Sequence, residues 1–414
     1  MKTVLLLLLI FKIIISPSTA QHQSTSHKSI REFNVLPENS PGENTINLQK
    51  AIDWASDYGA ALYVDPTDEP YSLNSGLVLK QNVSLVGVHG PIPRGTKHAT
   101  KNIPVGSVFK IEDAEAAFIT VESATQIRGI QFWYGNQELN DPEKVIQYPP
   151  TIQTSKTSST QGVTLSNLTF YGEYVAMDFN ASPQHICELI LIEHCYGYPL
   201  SGEFIKIDYC YDIPRFLHTH VNPAIMRKIG LRFSKAVIDA VVAKKTFAYS
   251  INHTDNAQLM DVFTFGTWGG IHLGDESYGQ LTNFNLDCVA VGIFKQGNNT
   301  KNRNWMIAQG SIIANAGATV EETRPIIIEG QGHTAFTNVE AFSGGNGALT
   351  NVGKSYDFML VRGDKKLTVS LVGSRMRNYE SDHPITIENP LAVIQAVACV
   401  DKDENLFNEI IGID

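Results

Sequence analysis

The sequence predicts an all-β fold, a parallel β-helix in which short strands wind in successive coils around a narrow core. A short motif recurs along the chain, each repeat contains several short apolar runs, and few segments have helical spacing. The 32 glycines and the frequent Asn, Thr and Val agree with short strands joined by tight turns. These observations favour one elongated domain over two or three ordinary ones.

The recurring motif is an apolar residue, any residue, an Asn, and then apolar-x-apolar. It occurs at Leu165–Phe170, Leu281–Leu286 and Phe336–Ala341, and more loosely at Leu259–Thr264. A second apolar group follows several copies, at Val175–Met177, Gly270–Leu273 and Gly292–Phe294. Within such a coil, alternate side chains point into the core, and an Asn at a constant turn position stacks on its equivalents. The motif therefore predicts a constant corner between two strands of each coil.

The N-terminal segment predicts a signal peptide. Lys2 supplies a positive start, Val4–Ile15 is almost entirely apolar, and Ser18–Ala20 has a small-x-small cleavage pattern. We therefore expect residues 1–20 to be removed near Ala20, leaving a secreted or periplasmic protein with a single domain over residues 21–414. The apolar stretch is shorter than a bilayer requires, and no later stretch is longer, so we expect no membrane span.

The first element of the mature chain is predicted to be a helix at Thr45–Gly59. Its apolar residues follow helical spacing, and Gly59 ends it. Short strands follow, beginning with Ala61–Val64 and Leu77–Leu79. One helix before a series of strands is not the pattern of a doubly wound fold, in which helices recur.

The opening from Arg31 to Gly90 resembles that of the pectate-lyase superfamily. The features that match are a capping helix like Asn47–Ala55, a strand and turn like Ala61–Pro66, and a coil ending like Asn82–Gly87. This resemblance implies a single-stranded right-handed parallel β-helix of the pectin-lyase-like kind, with the helix capping its N-terminal end. The superfamily includes lyases, hydrolases, epimerases, dehydratases and viral tail spikes, so the fold alone does not decide the reaction.

Charge predicts the partner. The net charge of −10 argues against nucleic acid. Seven basic residues and one acid lie between Arg215 and Lys245, which is what an anionic ligand requires locally; a solvated helix face is the alternative. Together with the resemblance to the pectate-lyase superfamily, this makes an acidic polysaccharide or oligosaccharide the expected partner. The five cysteines fit no zinc pattern and leave open both a disulfide among the first three and buried free thiols.

One segment interrupts the repeat and predicts the active site. Residues 224–249 have apolar residues every four positions, typical of a helical insertion, and insertions beside a solenoid often line its binding face. Just before it, strand alternation would place Leu217, Thr219 and Val221 on one face. The same alternation would put His218, His220 and Asn222 on the other face, beside the basic insertion.

The predicted reaction is β-elimination on a uronic acid, which makes the protein a carbon–oxygen lyase. The C5 proton is alpha to a carboxylate, so its removal needs a base, a cation for the carboxylate and an acid for the departing C4 oxygen. His218 or His220 is the expected base. Arg215 or Arg232 would hold the carboxylate. The acid would be a tyrosine, with Tyr278 the first choice and Tyr209 and Tyr211 the alternatives.

Several alternatives remain open at this stage. A lyase expels a sugar in mid-chain, whereas a dehydratase expels water at the non-reducing end, as in oligosaccharide dehydratases of ulvan degradation. Asp275 and Glu276, close to His272 in the sequence, supply the two carboxylates that a glycoside hydrolase needs, and His272 is also a substrate-binding candidate. The Arg-x-Pro-x-x-Arg motif of calcium-dependent pectate lyases is absent; a calcium cofactor stays open, without a clear site. A non-catalytic glycan-binding β-helix is the remaining alternative.

Overall fold

The computed structural model describes residues 26–89, 102–300, 303–314, 323–343 and 355–412. The predicted signal peptide lies outside these residues and stays a prediction. The described chain is a parallel β-helix with three faces, which we number in the order in which each coil crosses them. None of the helices in these five ranges is long and apolar enough to cross a membrane.

Each face is a row of short strands. Face 1 contains His27–Ser29, Ala61–Tyr63, Ser84–Val86, Thr125–Arg128, Thr160–Ser166, Cys187–Glu193, Cys210–Tyr211, Arg215–Leu217, Ala257–Met260, Gly279–Thr282, Leu367–Val372, Ala392–Val400 and Leu406–Ile411. Face 2 contains Tyr71–Leu73, Val108–Ile111, Gln131–Trp133, Thr169–Tyr171, Tyr196–Gly197, His220–Val221, Phe263–Phe265, Asn285–Val289 and Arg375–Met376. Asn304–Ala314 and Gly332–Ser343 cross from face 1 to face 2. Face 3 contains Leu77–Leu79, Ile119–Val121, Ile152–Thr154, Met177–Asn180, Ile205–Asp208, Phe247–Ile251, Gly269–Leu273, Val291–Lys295, Arg324–Ile328, Met359–Val361 and Ile385–Ile387.

The predicted constant corner joins faces 1 and 2. Asn167, Asn283 and Asn338 all have left-handed backbones there, with φ of 53–54°. Asn tolerates this conformation better than most residues, which explains why the motif keeps it. His194 and His218 occupy the same position in their own coils, with φ of 52°. The motif therefore predicted the corner correctly, although the residue at the corner is Asn in some coils and His in others.

The core is a stack of apolar side chains, one layer per coil. Its aromatic part runs from Phe109 through Phe132, Phe170 and Phe204 to Tyr249, with successive ring centroids 5.2–6.3 Å apart. All five rings are fully buried. Each such aromatic contact contributes about 0.5–1.5 kcal/mol beyond the area that it buries. This stack stabilises the coils that carry the central part of the molecule.

The two ends of the solenoid are different. The helix Pro41–Tyr58 begins after its N-cap Ser40 and ends at Gly59, and its buried face packs on the first coils. Gln49 closes the exposed edge there by exchanging two hydrogen bonds, of 3.0 and 3.1 Å, with the backbone of Val78. This cover prevents further strands from adding to the sheet at the N-terminal end. At the other end Leu406–Ile411 pairs antiparallel with Ala392–Val400 and is the last strand of its sheet.

The segment predicted as one helical insertion divides into two helices. A 3₁₀ helix spans Pro223–Ile229 and an α-helix spans Lys235–Ala243. Gly230, with φ of 84°, separates them, and Phe247–Ile251 is already a strand of face 3. The apolar residues keep a spacing of four on both sides of Gly230, so helical spacing alone could not reveal this break.

All five cysteines are free and buried. Cys187 and Cys210 lie opposite each other in register on neighbouring strands of face 1. Burial raises the pKa of the Cys195 and Cys288 thiols to about 12. Of the two alternatives left open by the sequence, the structure has buried thiols.

Candidate active site

The connections around each coil place the possible binding face. From Thr125 to Thr282 the corner between faces 1 and 2 is short, whereas the connections from face 2 to face 3 include residues 134–151 and 222–246. These two long segments pack together: Ser234 N donates to Leu139 O at 2.8 Å, and Ser234 Oγ donates to Asn140 O at 2.9 Å. Together the two segments form a wall along one edge of face 3. We call the outward side of face 3 from Ile152 to Lys295 the face-3 groove.

A row of polar side chains lies along this groove. Asp178, Lys206, Ser250 and His272 are in register on four successive strands and are half-buried. Neighbouring strands lie about 4.8 Å apart, so these side chains lie next to one another along the groove. Lys206 Nζ lies 3.3 Å from Glu203 Oε1, which belongs to the connection at the walled edge. The walled edge of face 3 therefore contacts the row of polar side chains through this ion pair.

A histidine–carboxylate pair lies beside this row. Asp208 projects from the same side of its strand as Lys206, two residues away. His253 Nδ1 lies 2.7 Å from Asp208 Oδ1, and the Tyr209 ring stacks on the His253 ring at 4.2 Å with an angle of 5°. Both side chains of the pair are largely buried, with 28% of His253 and 22% of Asp208 exposed. The carboxylate holds Nδ1 and leaves Nε2 as the available ring nitrogen.

The next strands of the groove carry aromatic rings around His272. The His272 ring contacts the rings of Phe247 and Phe294, and Trp268 packs against Phe247. His272 Nε2 lies 3.2 Å from Gln296 Oε1. Burial lowers the pKa of His272, because the charged imidazolium loses hydration among these rings. His272 is therefore neutral over a wider pH range than an exposed histidine.

A second histidine–carboxylate pair lies at the corner between faces 1 and 2. His218 Nδ1 is paired with Asp261 Oδ2, the residue at the same corner position one coil later. The His194 ring stacks on His218 at 4.8 Å. Here 51% of His218 and 45% of Asp261 are exposed. No long connection lies beside this corner in the coils that carry His194, His218 and Asp261.

The strand alternation predicted for residues 217–222 is wrong. The left-handed backbone at His218 ends one strand and starts the next, so Leu217 points outward while Thr219 is buried and bonded to Tyr249. His220 also points outward, but on face 2, where its ring lies between Tyr196 and Phe263. His218 therefore lies at the corner itself, and His220 lies on the face that follows it.

Asn222, predicted to share the outward face with these histidines, is only 4% exposed. It is the N-cap of the 3₁₀ helix, and its side-chain oxygen accepts from Ala224 N at 2.8 Å. A buried cap cannot contact a polysaccharide. The prediction of Asn222 as a substrate-binding residue is therefore corrected to a structural role.

The other predicted residues are scattered. Arg215 lies on face 1 and donates to Ile213 O at 3.2 Å, and Arg232 is exposed between the two helices of the insertion. Tyr278 lies in the turn after face 3, with Arg303 4.4 Å from its ring centroid. Of the seven residues predicted for the site, His272 alone lies in the row of polar side chains along the face-3 groove. Lys206, Asp208 and His253 were not singled out by the sequence.

A buried acid lies beneath the groove's walled edge. Glu173 is fully buried, and burial raises its pKa to about 8, against the opposing effect of the backbone amides of Glu173 and Tyr198. Gly197 makes room for it, since a Cβ there would lie 2.4 Å from Glu173 Oε1. Glu173 is thus an interior proton-binding group rather than a member of the groove.

Within the described ranges, no group of three or more His, Cys, Asp or Glu side chains lies close enough together to hold a metal ion.

Comparison with known proteins gives structural similarity only. No family model and no curated protein sequence matches the chain. A mannuronan C-5 epimerase A-module of Azotobacter vinelandii is 13% identical, with TM-score 0.41, covering 90% of this chain and 98% of its own. The enzymatically active domain of tailspike protein 2 of bacteriophage CBA120 is 12% identical, with TM-score 0.48; the match covers 87% of this chain but 51% of the tailspike chain. A 1,3-α-1,4-β-D-galactose-4-sulfate-3,6-anhydro-D-galactose-2-sulfate 4 galactohydrolase is 9% identical, with TM-score 0.42, covering 88% and 90%. Similarity at these identities does not identify the function of the protein.

Proposed function

We propose that the protein is a carbohydrate-active enzyme that performs β-elimination on a uronic acid residue bound in the face-3 groove. The single observation that carries the proposal is the largely buried pair of His253 and Asp208, stacked against Tyr209 and next to Lys206. A base, an acid and a cation for the substrate carboxylate are the three groups that the reaction needs. They lie within a few residues of one another on two adjacent coils.

The base is His253. Its Nδ1 is engaged by Asp208, so the lone pair on Nε2 takes the C5 proton of the uronate. Asp208 stabilises the imidazolium that forms and fixes the orientation of the ring. As the C5–H bond breaks, its electrons form the C4=C5 double bond and the C4–O4 bond breaks.

The cation and the acid belong to the strand and turn that carry Asp208. Lys206 offers its ammonium group to the substrate carboxylate, where negative charge grows during proton removal. The Tyr209 hydroxyl donates its proton to the leaving O4 and regains one from His253 or solvent, which balances the reaction. Removal of a sugar from O4 makes the enzyme a lyase; removal of water from a terminal uronate makes it a dehydratase, as in ulvan degradation.

A second candidate function is glycoside hydrolysis. Asp178 and Asp208 lie on neighbouring strands two positions out of register, on the same side of face 3. This offset separates their backbones by about 8 Å, and inverting hydrolases place their two carboxyl groups about 6.5–9.5 Å apart. The pairing of Asp208 with His253 favours elimination, because a hydrolase needs that carboxylate to act on water or on the leaving oxygen.

The test is incubation of the purified protein with ulvan, pectin and alginate, following the ultraviolet absorbance of a 4,5-unsaturated uronate. A rise with shorter products identifies a lyase, and a rise with loss of one water and no chain cleavage identifies a dehydratase. New reducing ends without absorbance identify the hydrolase and overturn the elimination. Inversion at C5 without either product means that the proton is removed but O4 is retained.

A further inference from the structure

We propose that Phe247, Trp268 and Phe294 form a stacking platform that binds a further sugar ring of the substrate and extends to two coils beyond His253. This inference rests on the proposed function and deepens it, because a second ring means that the substrate is an oligosaccharide or polysaccharide lying along the solenoid axis. The platform would take a pyranose ring through its C–H face.

The three rings form one continuous patch. The Phe247 centroid lies 5.2 Å from Trp268, in a T-shaped contact, and 5.9 Å from Phe294, in a stacked one. His272 fills the space between them, 5.5 Å from Phe247 and 5.6 Å from Phe294. The electron-rich faces of such rings attract the weakly positive C–H bonds that a pyranose presents on its apolar side.

The rings are partly exposed, although Trp268 also packs against Val242 and Ala290. All three are half-buried, in contrast to the fully buried aromatic stack of the core. Gly269 allows the Phe247 ring to lie flat on the sheet, since a Cβ at Gly269 would lie 2.3 Å from Phe247 Cδ1. A ring that rests on backbone with its other side outward is available to a ligand. Clustered outward rings of this kind indicate a binding surface.

Polar groups border the platform in a chain of hydrogen bonds. Gln296 Nε2 donates to Glu329 Oε1 at 2.6 Å, and Arg362 Nε donates to Glu329 Oε2 at 2.7 Å. The Arg362 guanidinium also lies 5.8 Å from the Phe294 centroid. An apolar patch with a few fixed polar groups at its rim is the composition expected of a sugar subsite, since the hydroxyls of the ring point outward around its apolar faces.

The platform continues the polar row of the groove, because Phe294 is in register with His272, Ser250 and Lys206. His253 follows the strand Phe247–Ile251, and Phe294 is on the second strand beyond it. Two strand spacings amount to about 10 Å, about the length of two sugar residues, so a chain with its first ring at His253 would bring its third ring to Phe294. A polysaccharide lying across the strands would therefore place one ring at His253 and another over Phe294.

The test measures binding without turnover. In a His253→Asn background, oligosaccharides of two, three and four residues prepared from ulvan, pectin and alginate are titrated while the fluorescence of the protein is followed. We expect longer oligosaccharides to change the Trp268 emission, and Phe294→Ala to weaken their binding by about fivefold to tenfold. The disaccharides, which occupy the catalytic end alone, should bind equally to both.

The matched control is Phe263→Ala, which removes a half-buried ring from face 2, where it stacks on His220 at 4.3 Å. This variant should bind every oligosaccharide as the parent does. Trp268→Phe keeps a ring in the platform and should retain the affinity, measured by calorimetry, while losing the fluorescence response. It also guards against a Phe294→Ala variant that fails to fold.

The outcomes separate the two proposals. Turnover by the wild type with unchanged binding in Phe294→Ala overturns the platform and leaves the function intact. Length-dependent binding that Phe294→Ala weakens, without turnover by the wild type on any substrate, supports the platform and overturns the proposed reaction.

Discussion

The pair of His253 and Asp208 and the pair of His218 and Asp261 have the same chemistry in different surroundings. The first is largely buried, stacked against a tyrosine and beside a lysine, on a face with a wall of long connections. The second is about half exposed on a two-residue corner, stacked on another histidine. A polysaccharide needs a groove with several contacts, so a histidine near a carboxylate is informative only together with what surrounds it.

The strongest test of this comparison is the same substitution at both histidines. His253 and His218 both have left-handed backbones, with φ of 38° and 52°, a conformation that Asn also tolerates. We expect His253→Asn to lower kcat by about a thousandfold, because general base catalysis is lost. His218→Asn should change kcat by less than about twofold and leave the melting temperature near that of the wild type. Equal loss in both variants would mean that the corner takes part in catalysis.

A second test removes a pH effect that belongs to neither pair. The folded pKa of Glu173, about 8, is raised above its ordinary value of 4.5, so its stabilising protonation is complete below pH 4.5 and is lost as the pH rises through 8. Glu173→Gln cannot ionise. Relative to the wild type, its unfolding free energy should improve by about 3 kcal/mol between pH 5 and pH 8.

Denaturant unfolding at the two pH values measures this difference, with Glu203→Gln, a partly exposed acid, as the control that should not show it. A difference that is constant with pH would mean that Glu173 is ionised in the folded protein. The variant also allows the pH dependence of kcat to be assigned to the groove rather than to unfolding.

A third test separates the two carboxylates. Asp208→Asn should lower kcat by about 30-fold to 100-fold, since an amide neither orients His253 as firmly nor stabilises its charged form. Asp261→Asn places the commonest residue of the corner motif at a left-handed position and should leave kcat unchanged. Steady-state kinetics of both variants measure this difference in kcat. An unchanged kcat in Asp208→Asn would remove the main support for His253 as the base.

The smallest expected effect concerns the cation. Lys206→Met should raise KM for a uronate substrate by about tenfold, the value of one charge-assisted hydrogen bond. Lys235→Met is the control, because Lys235 forms a similar exposed ion pair with Asp239 in the insertion. An equal change in both variants would indicate general electrostatic attraction instead of a specific contact at the groove.

The sequence predicted the solenoid better than the site, for a physical reason. Core positions and corners recur once per coil, so Asn167, Asn283 and Asn338 identify them directly. Catalytic side chains occur once and are brought together across coils by register, which one sequence does not state. Counting strands from each corner would have placed Asp208 and His253 at equivalent ends of face 3. The proximity of His218 and His220 in sequence was misleading, because a left-handed residue intervenes.

The five buried thiols have a practical consequence. Cys187 and Cys210 remain thiols although they are neighbours across the sheet, so covalent cross-links do not hold the coils together. The chain should reach its native state in a reducing cytoplasm without a disulfide isomerase, and reducing agents should not inactivate it. Production without residues 1–20, the predicted signal peptide, in an ordinary bacterial host is therefore the direct route to the material that every experiment above requires.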